Sequence, residues 1–208
     1  MNLENELNSF VISIRRYLEA FSSSRLKPFL KDWPAVPFKM RQASPNYLPV
    51  LSYLPAALKA AHDQSRPIVQ MLVSLSPNLA WGQTYAAGDF GPDFLERYGW
   101  TELIGLRGPI PSERIACGFL LLGPEVEYPR HSHEAQEVYI PMTHKTLWQR
   151  GNQAWTAHTA GTPRRHKPWE WHAMRTGSHP LLALFLWQGG NLVQKSRIEK
   201  ISDHPENG

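Results

Sequence analysis

The sequence predicts a mainly β protein, a sandwich or barrel of short strands, preceded by a helical segment. Three observations carry this reading. Beyond about residue 77, glycines at 82, 88, 91, 99, 105, 108, 118, 123, 151 and 161 punctuate short apolar or aromatic runs, as in a chain of short strands. Before that point, apolar residues recur at helical spacing. The 18 prolines and 14 glycines call for many turns. No helix longer than about two turns is needed after residues 92–97.

Leu3, Leu7, Phe10, Val11, Ile14, Tyr17, Leu18 and Phe21 recur at three- and four-residue steps, which gives a first helix one apolar face. Ser22-Ser23-Ser24 ends it. Prolines 28, 34, 37 and 45 then hold the chain in a loop of short turns. Leu51 to Ala61, rich in alanine and leucine, reads as helical despite Pro55. Ser65-Arg66-Pro67 reads as a capped helix start with an early proline, for a helix through Leu75. Cys117 to Leu122, Glu137 to Met142, Thr146 to Arg150 and Leu181 to Trp187 read as strands. Gly123 and Gly161 fit hairpin turns between strands. The expected organisation is a helical segment over 1–78, a β-barrel with the functional site over 79–201, and a tail over 202–208.

Composition excludes several function classes. Hydrophobic content of 42% with 19% charged residues describes a globular chain, and 208 residues suffice for a core. The net charge of +4 is carried by short groups (Arg15-Arg16, Arg164-Arg165, Lys195 to Lys200) rather than a continuous stripe. With no nucleic-acid motif beside them, they read as solvated surface. A lone Cys117, inside an apolar run, excludes an internal disulfide and a cysteine-based metal site. The acidic, polar N-terminus is wrong for a secretory signal, and no apolar stretch approaches the ~18 residues of a membrane span. The expectation is a cytoplasmic monomer or homodimer with no membrane or nucleic-acid partner. Eight tryptophans and seven tyrosines serve the core and also suit a small-ligand pocket.

The chemistry concentrates in His131-Ser-His133-Glu-Ala-Gln-Glu137-Val-Tyr139. Imidazole and carboxylate suit borderline divalent ions such as Fe, Zn, Mn and Ni. All four functional positions are odd-numbered, so on a strand they share one face. The run predicts a metal site on a strand with a phenol beside it. By contrast, His144, His158, His166 and His179 stand in polar, turn-like settings and read as surface residues, and no role is assigned to His62 or His204.

The pattern His-x-His-x3-Glu followed by a distant histidine resembles the cupin arrangement. In that resemblance the distant ligand is His172, in Pro168-Trp-Glu-Trp-His172-Ala-Met, and the fold is a double-stranded β-helix, or jelly-roll barrel. Such a four-ligand set leaves one or two coordination positions open for substrate.

A narrower likeness follows from Gly118-Phe-Leu-Leu-Leu-Gly-Pro124, Tyr128-Pro-x-His-x-His-x3-Glu-x-Tyr-x-Pro141, His172-Ala-Met-x-Thr176 and Pro180-Leu-Leu-Ala-Leu-Phe-Leu-Trp187-Gln-Gly. From about Trp81 to about Gly190 the chain resembles the cupin-type dimethylsulfoniopropionate lyases of marine bacteria. The resemblance implies a metal-dependent β-elimination of a small zwitterion to dimethyl sulfide and acrylate. It implies Tyr139 as general base, Tyr128 as pocket wall or alternative base, and Trp187 as an aromatic face for the sulfonium. Trp171 and Trp148 read as core.

Two positions depart from the cupin pattern. His144 stands where many cupins have glycine, and so does Trp169. His144 then requires a different turn or a positive φ. Two other readings remain open at this point: another metal-dependent cupin enzyme, such as a dioxygenase, and a non-enzymatic cupin that binds a small ligand. The N-terminal helices could cap the barrel mouth or form an oligomer contact.

Overall fold

The computed structural model describes residues 2–199. The expected tail over 202–208 and His204 lie outside the described residues. Helix α1 spans Leu3–Glu19; the Asn2 side chain caps it by accepting from the Glu4 N–H at 3.0 Å. Its apolar face buries Leu7, Phe10, Val11, Ile14 and Leu18. Each such side chain contributes about 1.5–3 kcal/mol on burial.

The stretch read as turns contains a short helix, α2 (Lys27–Lys31), with Phe29 buried. Pro28 lies in its first turn, where the missing N–H is no loss. The same reason admits Pro55. Pro49–Tyr53 forms a 3₁₀ turn that runs into α3 (Leu54–Lys59), again with the proline in the first turn. Helix α4 covers Arg66–Leu75, but Ser65 makes no side-chain cap. Its buried hydroxyl donates to the carbonyls of His62 and Met142, at 2.9 and 3.0 Å, and ties the helix start to the barrel. Two one-turn helices, α5 (Ala87–Phe90) and α6 (Pro92–Glu96), precede the main strands.

Among the described residues eleven strands run in chain order: β1 Trp81–Gly82, β2 Tyr98–Ile104, β3 Ile115–Leu122, β4 Glu127–Ser132, β5 Gln136–Pro141, β6 Thr146–Arg150, β7 Thr156–His158, β8 Arg164–His166, β9 His172–Thr176, β10 Leu181–Gln188 and β11 Arg197–Ile198. They form a six-stranded sheet ordered β1-β2-β3-β10-β5-β8 and a five-stranded sheet ordered β11-β4-β9-β6-β7. From β3 onward nearly every connection passes from one sheet to the other. This is the double-stranded β-helix of cupins, behind an N-terminal helical segment.

That alternation corrects two expectations. Gly123 and Gly161 do not close hairpins, because β3 and β4, and likewise β7 and β8, belong to different sheets. At Gly123 a Cβ would come within 2.8 Å of the Tyr53 ring, so close packing requires glycine there. Gly161 has φ +74°.

Side-chain parity divides the core in two. Cys117, Phe119, Leu121, Val138, Ile140, Leu182, Leu184 and Leu186 face outward and join α1, α2, α3 and α4 in one apolar cluster. Ala116, Leu120, Tyr139, Ala183 and Phe185 face the barrel interior with Tyr98, Tyr128 and Trp148. The helices therefore cover the outer face of the six-stranded sheet. Burial on both faces is why its strands read as continuous apolar runs.

The two departures from cupin glycines resolve differently. The left-handed conformation falls on Lys145 (φ +68°), one residue after His144, while Trp169 itself adopts it (φ +60°). The Arg197 guanidinium lies 4.1 Å over the Trp169 ring, which helps to hold that residue in place.

Candidate active site

The run 131–139 is not a single strand. His131 ends on β4, in the five-stranded sheet. His133 falls in the corner after it, and Glu137 and Tyr139 lie on β5, in the six-stranded sheet. Shared parity along one strand joins only Glu137 and Tyr139. Convergence comes from two sheets facing each other. His172, on β9, is the cross-strand partner of His131.

Ligand atoms of His133, Glu137 and His172 all lie within 4.8 Å of one another, and all three residues are buried. Glu137 Oε2 is 3.0 Å from His133 Nε2 and 3.2 Å from His172 Nε2. His131 stands at the edge of this group, its ring 4.1 Å from that of His172 and 6.5 Å from that of His133.

The tautomers follow from the outer contacts. His131 Nδ1 meets the Pro129 carbonyl at 2.8 Å, His133 Nδ1 that of Ala135 at 2.9 Å, and His172 Nδ1 that of Glu170 at 2.8 Å. A carbonyl only accepts, so each Nδ1 carries the proton and each Nε2 presents a lone pair. Carbonyl contacts of this kind orient metal-bound histidines. Bare Nε2 atoms directed at a carboxylate oxygen repel it unless positive charge stands among them, and His172 Nε2 has no hydrogen-bond partner. The donor set fits a divalent ion.

Electrostatics agree with that fit. Burial works against ionisation of Glu137, and its carboxyl is held well below the usual range only by positive charge and N–H donation on the His133 and His172 side, the part a bound cation takes where both Nε2 atoms present lone pairs. Burial and the neighbouring His172 keep His131 neutral, its pKa well below the ordinary imidazole value. Tyr139 is buried, and burial together with the Glu137 charge pushes its phenol well above the usual value. Tyr128 stacks on His131 at 3.9 Å, and its hydroxyl meets that of Tyr85 at 2.9 Å. Burial pushes its pKa well up too, with Tyr85 adding to the effect.

Trp187 is brought to the site, but by an unexpected contact. Its Nε1 donates to Glu137 Oε1 at 2.6 Å, and its ring stacks on His133 at 4.1 Å. Trp148 is fully buried, as expected of core, and Trp171 is half-buried.

His166 corrects the surface reading. It is fully buried, stacks on His172 at 4.1 Å and pairs across the sheet with Glu137. Among the described residues neither ring nitrogen has a hydrogen-bond partner; Glu170 Oε2 lies 3.7 Å from Nδ1. Burial, reinforced by His172, lowers its pKa to about 3. Its charged neighbours Arg164, Arg165 and Lys167 concealed it in the sequence. His144, in contrast, is exposed, and the His158 and His179 rings are half-buried. Glu102 and Arg107 on the cavity wall were not anticipated either, because they adjoin the site only through strand pairing.

No helix among the described residues is long and apolar enough to cross a membrane.

Comparison with known proteins agrees with this geometry. The family model for dimethylsulfoniopropionate lyase matches residues 29–183. DddL of Cereibacter sphaeroides, named as a dimethylsulfoniopropionate lyase, is 30% identical over 171 residues, which cover 75% of this chain and 71% of that one. A crystal structure from work on the lyases RdDddP and RnDddQII superposes with a TM-score of 0.84 at 27% identity, covering 96% of this chain and 100% of that one. The lyase DddQ of Ruegeria pomeroyi shares the fold, with a TM-score of 0.73 at 23% identity over 89% of this chain and 95% of that one. The chain is a lyase and belongs to the dimethylsulfoniopropionate lyase family.

Proposed function

We propose that this chain cleaves dimethylsulfoniopropionate by β-elimination to dimethyl sulfide and acrylate. In this reading His131, His133, Glu137 and His172 hold a divalent ion. The observation that carries it is the convergence of His133, Glu137 and His172 on one buried point, with Tyr139 two residues beyond Glu137 on the same inward face of β5.

The proton to be removed is α to a carboxylate, so the developing carbanion lies next to an anion. A divalent ion bound at this site supplies a Lewis acid that neutralises the substrate carboxylate and favours the phenolate of a nearby tyrosine. Tyr139 is the base: its phenolate takes the α-proton, the C–S bond breaks, and the electron pair leaves with the sulfur. The α and β carbons become the double bond of acrylate. Burial of Tyr139 and Glu137 excludes the water that would otherwise quench the carbanion. Tyr128 walls the pocket, and its hydrogen bond to Tyr85 fixes the ring against His131. Trp187 lines the same pocket while its N–H holds Glu137.

Headspace dimethyl sulfide from protein loaded with Fe, Mn, Zn or Ni tests this reading. Release is expected with at least one metal and none after chelation. No release with any metal would overturn it, and oxygen uptake on small acids would then point to an oxygenase.

A further inference from the structure

The interior cavity beside the site is lined at one end by Tyr128, Tyr139 and Trp187 and at the other by Trp100, Glu102 and Arg107. Strand pairing fixes this spacing. Glu102 pairs with Gly118, Gly118 with Phe185, and Phe185 with Tyr139. Three strand steps, or about 14 Å of curved sheet, separate Glu102 from Tyr139. Side chains from both ends line one cavity.

The far end is built for a cation. Glu102 is only 5% exposed. Its Oε1 accepts the backbone N–H groups of Arg107 at 2.6 Å and Gly108 at 3.0 Å. Trp100 is locked beside it by an Nε1 hydrogen bond to Thr84 Oγ1 at 3.0 Å. A delocalised cation already stands there: the Arg107 guanidinium lies 4.9 Å over the Trp100 ring, with Nη1 4.0 Å from Glu102 Oε2. Arg107 reaches this place from the surface, its side chain 38% exposed and its Nη2 donating to the Val193 carbonyl at 2.7 Å.

We propose that Glu102, with the face of Trp100, selects the cationic end of the substrate, and that Arg107 occupies that place until substrate displaces it. This rests on the lyase reading above. A sulfonium has no N–H to donate, so an aromatic face and a buried counter-charge are what can recognise it. A substrate with a carboxylate at one end and a fixed cation at the other then matches the cavity at both ends. A plain carboxylate matches it at one end only.

The test compares KM for dimethylsulfoniopropionate with the inhibition constant of its thioether analogue, which is neutral at sulfur and keeps the carboxylate. Glu102→Gln removes the charge and retains an oxygen for the two N–H groups. It is expected to raise KM about tenfold while the thioether constant stays unchanged. Arg107→Leu is expected to lower KM severalfold, again without effect on the thioether. Equal shifts in both constants, or no shift, in Glu102→Gln would mean that Glu102 only anchors the turn at residues 105–108, and the proposal falls. Weaker thioether binding in Arg107→Leu would mean that the guanidinium holds the substrate carboxylate, which also overturns it. If the glutamine variant does not fold, the Arg107→Leu measurements decide alone. Wild-type protein that releases no dimethyl sulfide overturns the lyase reading and this proposal together. Turnover with KM unaltered in both variants overturns this proposal only.

Discussion

Trp187 donates its indole N–H to Glu137 Oε1 at 2.6 Å, while Glu137 Oε2 faces the lone pairs of His133 and His172. The two carboxylate oxygens thus have separate tasks, and the tryptophan leaves one of them free for a metal. Outer contacts of this kind typically tune metal affinity by ~10- to 100-fold. We expect Trp187→Phe, which keeps an aromatic ring against His133, to weaken metal binding by about that factor. Competition with a chelator of known affinity measures it. Unchanged affinity would remove Trp187 from the metal's support.

Metal retention and turnover separate the ligands from the base. His133→Ala and Glu137→Ala are expected to lower metal content, measured by elemental analysis after gel filtration. Tyr139→Phe is expected to retain metal and to lose ~10²- to 10⁴-fold in turnover, the usual contribution of a general base. A loss below about tenfold would count against Tyr139.

His166 makes the metal-free protein sensitive to acid. Its imidazole has a pKa lowered to about 3 in the folded protein against an ordinary imidazole value of 6.5, so between those limits the unfolded chain binds the extra proton. Stability is therefore full above about pH 6.5 and falls as pH drops toward 3, by up to about 1.4 kcal/mol per unit from this group. Urea midpoints from pH 7 to pH 4 should show a shallower decline in His166→Phe than in wild type. Parallel curves would show that His166 carries no such penalty.

The turn after β5 offers a stability test. Lys145 and His144 are both exposed, but only Lys145 is left-handed. Lys145→Gly relieves that conformation and is expected to stabilise by about 0.5–1 kcal/mol after the added freedom of the unfolded chain is subtracted. His144→Gly adds only that freedom and should destabilise by about 0.5–1 kcal/mol. Thermal melts of the two variants in opposite directions are the expected result.

Much of the architecture was legible in the amino-acid order, because its signals are local. The 3.6-residue apolar period of α1, the continuous apolar runs of β3 and β10, and the histidine–glutamate–tyrosine cluster of 131–139 each lie within a short stretch. Pro28 misled because its helical tolerance depends on standing in a first turn, and Ser65 because its hydroxyl is claimed by the Met142 carbonyl from the barrel.

The sequence alone determined the fold class, the family likeness and the cluster 131–139 as the candidate site. Tertiary structure decided which residues surround that cluster. Successive strands of this barrel alternate between two sheets, so spatial neighbours are set by cross-strand pairing and not by distance along the chain. Hence His166 faces Glu137, Trp187 holds the same carboxylate 50 residues away, and Glu102 looks across Phe185 toward Tyr139. Periodicity reports which face a side chain occupies. It carries no information about what lies opposite that face.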